Sequence, residues 1–108
     1  MQRGEVWSVE FDPAVGSEIR KTRPGIIVSN NAANRNLSRV IVVPVTSNTE
    51  RLFPGEARVS VAGTPSKAMA DQLMTADKVR LKTRVGELSK ADMLAVDAAM
   101  RVQLALSK

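Results

Sequence analysis

Alternating hydrophobic and polar positions predict a series of short strands in the first half of the chain. The segment Glu5–Phe11 alternates with a period of two, which is typical of a strand with one buried face. Gly25–Val28 is a short, continuously apolar run, as expected of a buried strand. The polar residues 30–38 are expected to form a connector with one helical turn. The most hydrophobic strand is predicted at Arg39–Thr46, and Pro44 near its end indicates an edge or a bulge.

The second half continues the pattern. Strands are predicted at Glu56–Val61 and Lys67–Leu73, separated by the turn signal Gly63-Thr-Pro65. A further strand, Lys78–Val85, alternates basic and mostly apolar residues, so that its basic side chains share one face: Lys78, Arg80, Lys82 and Arg84. This face is either a solvated surface or a track for a polyanion, and the alternation alone leaves both interpretations open.

The last predicted element is a helix. Ser89-Lys-Ala-Asp92 has the spacing of a capping box, with Asp in place of Glu, and the helix is expected to continue to about Leu106. At about 100° per residue its apolar side chains form two faces. The first contains Met93, Val96, Met100 and Leu104, and the second contains Leu94, Ala98, Val102, Ala105 and Leu106. One face fits the sheet, and the other requires either a second subunit or burial in the protein's own core.

These elements together predict a mainly β protein with a C-terminal α-helix, folded as a small, mainly antiparallel barrel or sheet. The 108 residues contain no linker, repeat or low-complexity segment, so one domain over residues 1–108 is expected. A domain of this size gains stability from a partner subunit. No run approaches the ~18 apolar residues of a membrane span, and the N-terminus does not resemble a signal peptide. We therefore expect a cytoplasmic protein without membrane contact.

The side-chain inventory restricts the chemistry. The chain has no His, no Cys and no Tyr, which excludes Ser-His-Asp and Cys-His nucleophiles and His/Cys zinc sites. Proton transfer must therefore fall to Glu, Asp, Lys or Arg, and the polar segment 12–23 supplies Glu18, Arg20, Lys21 and Arg23. Since no convincing carboxylate cluster is present either, we expect no metal and no other cofactor.

The net charge points to the kind of partner. Sixteen Lys and Arg against eleven Asp and Glu give +5, which in a small domain favours a polyanion, either nucleic acid or an acidic protein segment. Charge alone is also compatible with a basic protein that binds nothing specific.

Several short motifs follow one another along the chain: Gly4-Glu-Val-Trp7, Asp12-Pro13, Gly16-Ser-Glu18, Arg23-Pro24, Val28-Ser-Asn30, Val43-Pro-Val-Thr-Ser47 and Ala70-Asp-Gln72. In this order and spacing they resemble the MazF/PemK family of toxin endoribonucleases from bacterial toxin–antitoxin systems. The resemblance covers essentially the whole chain. Each motif is nonspecific by itself, whereas the ordered set is specific. The chain departs from the family at Met74, where many relatives have a basic residue.

The resemblance implies an SH3-like barrel of the CcdB/PemK type that forms a homodimer. It implies cleavage of single-stranded RNA at short sequences without a metal, and inhibition by a cognate antitoxin. By the same resemblance Arg23 and Thr46 carry catalysis, and Glu18 has an acid–base role. Expected RNA contacts are Ser17, Ser47 and Gln72 in the matched motifs, together with Arg80 and Lys82 of the basic strand. A basic surface further favours an antitoxin with an acidic segment.

This chemistry is consistent with the residues. Metal-free RNA cleavage must remove a proton from the 2′-hydroxyl, neutralise the crowded phosphate and protonate the leaving 5′-oxygen. Arg23 offers a forked donor to the phosphate, and Thr46 can donate a hydrogen bond to a non-bridging oxygen. Glu18 is the preferred base because a guanidinium is a poor proton acceptor, although Arg23 stays open for that role.

Other interpretations compete with this one. Arg23 could merely pair with Glu18 or Asp12, Thr46 could merely end a strand, and Trp7 is expected in the core rather than as a base-stacking platform. At the level of function, the chief rival is a non-enzymatic toxin resembling the CcdB gyrase poisons, followed by a plain RNA-binding module. The fold does not separate these classes. The pair Arg23 and Thr46 and the basic strand favour the nuclease.

Overall fold

The computed structural model describes residues 1–11 and 22–107, and short strands dominate this part of the chain. The strands are β1 (Glu5–Glu10), β2 (Thr22–Ile27), β3 (Arg39–Thr46), β4 (Glu56–Val61), β5 (Thr64–Met69), β6 (Met74–Asp77) and β7 (Leu81–Glu87). The helices are α1 (Asn31–Asn36) and α2 (Lys90–Gln103), and there are 3₁₀ turns at Ala70–Gln72 and Lys78–Arg80. The predicted class, mainly β with a C-terminal α-helix, is confirmed.

The strands form an antiparallel sheet that curls into a half-barrel. Their order is β4-β5-β3-β2-β1-β7, and β6 also pairs with β3. Strand β3 is central, because it pairs with β2, β5 and β6 along different parts of its length. Its bounds agree with the sequence prediction because its apolar run is long and unbroken.

Two hydrophobic clusters lie on the two faces of this sheet. On one face Val43 and Val45 of β3 pack with residues of β4 and β5 against α2, whose Val96 and Ala99 are buried. The cluster on the other face consists of buried residues from several strands: Val9, Ile27, Val40, Val42, Ala76 and Leu81. Trp7, Phe11 and Met74 are partly buried and cover it. Trp7 is half-buried and packs against this cluster, so its expected core position holds only in part.

The hairpin between β4 and β5 corrects a sequence prediction. The turn consists of Ala62 and Gly63, with φ of 49° and 83°, and Val61 pairs with Thr64. Both central φ values are positive, as a type I′ turn requires. Thr64 therefore opens β5, which spans Thr64–Met69 instead of the predicted Lys67–Leu73.

The predicted basic strand Lys78–Val85 is wrong in its first part. Residues Lys78–Arg80 form a 3₁₀ turn, and only Leu81–Glu87 is strand. The preceding strand β6 was not predicted, because Met74–Asp77 is too short to show a period. The β1–β7 pairing also shifts register twice, between Val6 and Trp7 and between Ser8 and Val9. The four basic side chains therefore do not form one continuous stripe.

Helix α2 begins where the sequence predicts. The hydroxyl oxygen of Ser89 accepts a hydrogen bond from the backbone N–H of Asp92 at 3.1 Å. The carboxylate of Asp92 instead accepts from the backbone N–H of Ser60 at 2.9 Å, so it ties the helix to β4. The helix ends at Gln103 rather than near Leu106. Within the described ranges, neither helix has the length and apolar character that crossing a bilayer requires.

Candidate nucleic-acid interface

The register between β2 and β3 aligns the two candidate catalytic residues. The β2–β3 pairing ends at Gly25 and Pro44, and Arg23 and Thr46 each lie two residues beyond that pair, at the same end of their strands. By alternation from Ile27 and Val42, which belong to the second cluster, both positions lie on the face that α2 does not cover. Arg23 is exposed and Thr46 is half-buried. A guanidinium fork and a hydroxyl are therefore carried on neighbouring strands at the same accessible end of the sheet.

The Thr46 hydroxyl has a defined hydrogen-bond role. Its oxygen accepts from the backbone N–H of Asn48 at 3.2 Å. Accepting this bond leaves the hydroxyl hydrogen available for an acceptor outside the protein. Thr46 can therefore donate a hydrogen bond to an anionic oxygen of a bound ligand.

The same register continues across the neighbouring strands. On one side Thr46 pairs with Lys67 of β5, and Lys67 pairs with Arg58 of β4. On the other side Arg23 pairs with Val9 of β1, and Val9 pairs with Leu81 of β7. Arg80 and Lys82 flank Leu81 in sequence and so lie two strands from Arg23, or about 10 Å at ordinary strand spacing. One end of the sheet thus gathers basic residues from several strands.

The basic residues at and around β7 differ in their partners. Arg80 is half-buried, and its Nη1 donates to the backbone carbonyl of Glu10 at 3.1 Å. Lys82 is exposed at the register shift in β7. Lys78 donates to the backbone carbonyl of Asn34, at the far side of the second cluster. Lys82 is therefore better placed than Lys78 to contact a ligand.

Arg84 lies beside a carboxylate rather than on an open track. Its Nε is 3.6 Å from Glu5 Oε2, and its Nη2 is 3.8 Å from Glu87 Oε2. Burial raises the pKa of the Glu5 carboxyl, but hydrogen bonds from Trp7 and Gln2 and nearby positive charges, including Arg84, outweigh it and lower that pKa overall. An ionised Glu5 competes with any external anion for Arg84.

The remaining predicted contacts fall on turns. Ser47 is exposed directly after β3, and Gln72 is exposed in the 3₁₀ turn after β5, where its amide donates to Met69 Sδ at 3.5 Å. Met74 pairs with Val42 and covers the second cluster. A basic residue at this position would lose that apolar packing, so Met74 acts here as a core side chain.

A cavity of about 310 Å³ lies next to Ser47. Pro24 and Val45 line it, and Val45 belongs to the cluster that packs against α2. The cavity is therefore on the sheet face opposite to the Thr46 side chain, and it does not contain the aligned pair.

Two predicted site residues, Ser17 and Glu18, lie outside the described residues. Among the described residues, no group of three or more Asp or Glu side chains converges in a way that could hold a metal ion. The described part of the site thus consists of the aligned pair Arg23 and Thr46 and the basic and polar groups around it.

One buried charge at this site was missed by the sequence prediction. Lys67, next to Thr46 in the register, is 8% exposed. Its position in a mostly apolar run predicted to be a strand was the available signal, because a lysine buried in such a run requires a partner.

Comparisons with known proteins agree with this fold. The chain is 37% identical to the endoribonuclease MazF9 of Mycobacterium tuberculosis, over 98% of both chains. It is 30% identical to the endoribonuclease MazF of Staphylococcus epidermidis, over 99% of this chain and 93% of that one. A solved endoribonuclease in complex with its cognate antitoxin, from a mycobacterial species, superposes with a TM-score of 0.83 at 30% identity, covering 100% of this chain and 98% of that one.

The half-barrel is thus that of an endoribonuclease toxin, and the gyrase-poison alternative is not favoured. Residues 2–104 match the family model of the PemK-like, MazF-like toxins of type II toxin–antitoxin systems. The chain belongs to this family.

Proposed function

We propose that the chain cleaves single-stranded RNA at short sequences, without a metal, to leave a 2′,3′-cyclic phosphate and a 5′-hydroxyl. The observation that carries this proposal is the position of Arg23 and Thr46 at the same end and on the same face of neighbouring strands β2 and β3. The pair supplies two donors to one phosphate, which is the arrangement that a crowded, negatively charged transition state requires. The similarity to proteins named endoribonucleases extends over nearly the whole chain and supports the same activity.

The reaction requires a base for the 2′-hydroxyl proton, donors that stabilise the charge on the phosphate, and a proton for the leaving 5′-oxygen. The substrate 2′-oxygen attacks phosphorus, and its proton passes to a base, for which we propose Glu18. The fork of Arg23 and the hydroxyl of Thr46 stabilise the charge on the non-bridging oxygens. The P–O bond to the 5′-oxygen breaks, and this oxygen takes a proton from solvent water to leave as a hydroxyl.

We assign the flanking groups to RNA binding. Lys82 and Arg80 contact phosphates along the edge of the sheet, and Ser17, Ser47 and Gln72 contact the nucleotides near the scissile bond. Phosphate contacts position the strand, whereas base contacts select the sequence. The target on this proposal is RNA in the cytoplasm.

The decisive experiment is cleavage in chelator. Purified protein is incubated with a long single-stranded transcript in excess EDTA, and the new 5′ ends are mapped and tested for a hydroxyl. Cleavage at short recurring sequences with 5′-hydroxyl ends is expected. Loss of activity in EDTA with recovery on adding magnesium would contradict the metal-free mechanism, and intact RNA in both conditions would contradict an active nuclease.

We further propose an antitoxin that blocks the RNA surface. One similar structure is an endoribonuclease in complex with its cognate antitoxin, and the chain carries a net charge of +5. An acidic segment that orders across basic residues would exclude RNA sterically and electrostatically. RNA and antitoxin should then compete, and independent saturable binding of both to one protein would refute a shared surface.

The second apolar face of α2 supports a homodimer. Leu94 and Val102 lie two helical turns apart and are 67% and 58% exposed, with Ala98 exposed between them. A two-fold symmetric contact places the same stripe of each protomer against its copy, which buries both at once. Of the two alternatives from the sequence, burial in the protein's own core is wrong for these three residues, and the second subunit remains as our proposal.

A further inference from the structure

Lys67 is a charged residue in a buried place. It lies on β5 between Thr46 of β3 and Arg58 of β4, and only 8% of it is exposed. An ammonium group loses hydration when it is buried and needs close partners to compensate. Its partners therefore indicate what the side chain does.

The partners of Lys67 lie in the segment between β3 and β4, residues 47–55, and at Glu56, the first residue of β4. Its Nζ donates to the backbone carbonyl of Arg51 at 2.7 Å and to Glu56 Oε1 at 3.0 Å. Its Nζ also lies 5.6 Å from the centroid of the Phe53 ring. Glu56 Oε1 accepts a second hydrogen bond, from the backbone N–H of Phe53 at 2.9 Å. The buried ion pair thus holds the segment at Arg51 and at Phe53.

The beginning of the same segment is bound to Thr46. The backbone N–H of Asn48 donates to Thr46 Oγ1, and Asn48 Oδ1 accepts from the backbone N–H of Glu50, both at 3.2 Å. Arg58 Nη1 donates to the backbone carbonyl of Thr49 at 3.1 Å. Hydrogen bonds, joined by the backbone between Glu50 and Arg51, therefore connect Lys67 through the segment to the Thr46 hydroxyl.

We propose that Lys67 is a positioning residue of the endoribonuclease. Through residues 48–53 it fixes the Asn48 amide, which in turn orients the hydroxyl hydrogen of Thr46 toward the substrate phosphate. The proposal rests on the role of Thr46 given above. Buried ion pairs contribute little net stability compared with apolar side chains of similar size, so the consequence of this pair lies in where it holds the backbone.

The test is a double-mutant cycle on cleavage. An oligonucleotide that contains a mapped cleavage site is used to measure kcat and KM for the parent, Lys67→Met, Thr46→Ala and the double variant. Lys67→Met is expected to lower kcat by about 10- to 100-fold, the scale of a misplaced reacting group, with a smaller change in KM. In the Thr46→Ala background the same substitution should cost nothing further, because Lys67 acts through Thr46.

Stability is separated from positioning by a second variant. Lys67→Met leaves Glu56 buried without its partner, whereas Glu56→Gln/Lys67→Met removes both charges and keeps an oxygen for the Phe53 amide. The melting temperature should recover in this double variant while kcat stays low, because the bond to the Arg51 carbonyl is still missing. Lys90→Met, an exposed lysine at the start of α2, is the matched control and should cleave at the parental rate.

The outcomes distinguish the two proposals. If Thr46→Ala cleaves at the parental rate, the proposed active pair fails and the positioning role fails with it. If Thr46→Ala is impaired while Lys67→Met cleaves normally, or if Lys67→Met costs the same factor in both backgrounds, only the positioning role is overturned. Recovery of kcat together with the melting temperature in Glu56→Gln/Lys67→Met would also overturn it.

Discussion

At the scale of single residues, the candidate site depends on two side chains that are far apart in sequence and lie at the same end of neighbouring strands. Arg23 opens toward solvent from β2, and Thr46 ends β3 with its hydroxyl oxygen already bonded to Asn48. The bond matters because a hydroxyl that accepts from the protein has its hydrogen free for the substrate.

Arg23→Ala should therefore lower kcat on the order of 10²-fold or more, the scale of losing one transition-state donor. Arg23→Lys should also cleave poorly, because a point charge does not reproduce the planar fork. Cleavage rates of the mapped oligonucleotide measure both. Arg35→Ala, at an exposed position of α1, is the control for lost positive charge. A folded Arg23→Ala protein that cleaves at the parental rate would show that the family role does not apply to this residue.

The roles of Arg23 and Thr46 come from the resemblance and stay a prediction. The structure places the two residues at the same end of neighbouring strands. Lys67 escaped prediction because Glu56 comes beside it only through the pairing of β4 with β5, and the Arg51 carbonyl reaches it only when the segment between β3 and β4 folds over β5. An ion pair between two strands leaves no periodic pattern in the sequence.

At the scale of elements, the end of α2 has a conformation that its sequence does not favour. The backbone N–H of Leu106 donates to the Arg101 carbonyl at 2.9 Å, and that of Ala105 donates to Val102 at 3.2 Å. These bonds form a Schellman motif, whose usual glycine is here Ala105, at φ 55°. Since no glycine or proline marks the end, the sequence predicted a longer helix.

Ala105→Gly should consequently raise the free energy of unfolding. The left-handed conformation costs an L-residue about 1–2 kcal/mol, and the added freedom of glycine in the unfolded chain offsets about 0.5–1 kcal/mol of that gain. The comparison substitution Ala91→Gly, at an exposed position in the first turn of the helix, should lower it by up to about 1 kcal/mol. Urea denaturation of the two variants measures the difference. Changes of the same sign would contradict the assignment of the cap.

The short strands show a second reason why the sequence did not predict every element correctly. β3 was predicted with its observed bounds because eight residues carry a strong apolar signal. β6 has four residues and is followed by a 3₁₀ turn, and β7 is interrupted by register shifts. Strict alternation over Lys78–Val85 therefore came from residues that belong to two different elements.

Because the basic residues are divided between a 3₁₀ turn and β7, the contribution of each one to RNA binding has to be measured separately. In a Thr46→Ala background, Lys82→Gln and Arg80→Gln should each weaken binding and lower the magnitude of the salt slope by about 0.7, the single-strand value for one phosphate contact. Lys90→Gln on α2, on the other side of the sheet, should leave the slope unchanged. RNA affinity measured at several salt concentrations decides the matter. Two unchanged slopes for Lys82→Gln and Arg80→Gln would reject both residues as phosphate contacts.

At the scale of the whole molecule, the two sheet faces have different tasks. One face packs against α2, and the other carries the aligned pair at one end and an apolar cluster in the middle. The outer side of α2 remains exposed and apolar, and it is the surface that we propose for the homodimer contact.

Leu94→Glu or Val102→Glu should convert the proposed dimer to a monomer, because each places a carboxylate in an apolar symmetric contact. Sedimentation equilibrium at several protein concentrations measures the mass. Leu37→Glu, an exposed leucine after α1, is the control and should keep the parental mass. A parent protein that is monomeric at every concentration, or charged variants that stay dimeric, would exclude this face as the interface.

The placement of the aligned pair on strands has an evolutionary consequence. The register of β2 and β3 is fixed by backbone hydrogen bonds, and a slip by one residue would turn Thr46 to the opposite face. The proposed recognition residues Ser47 and Gln72 instead lie in a connecting segment and a 3₁₀ turn, where substitutions and insertions are tolerated. We therefore expect descendants of this scaffold to acquire new target sequences while their cleavage chemistry stays the same.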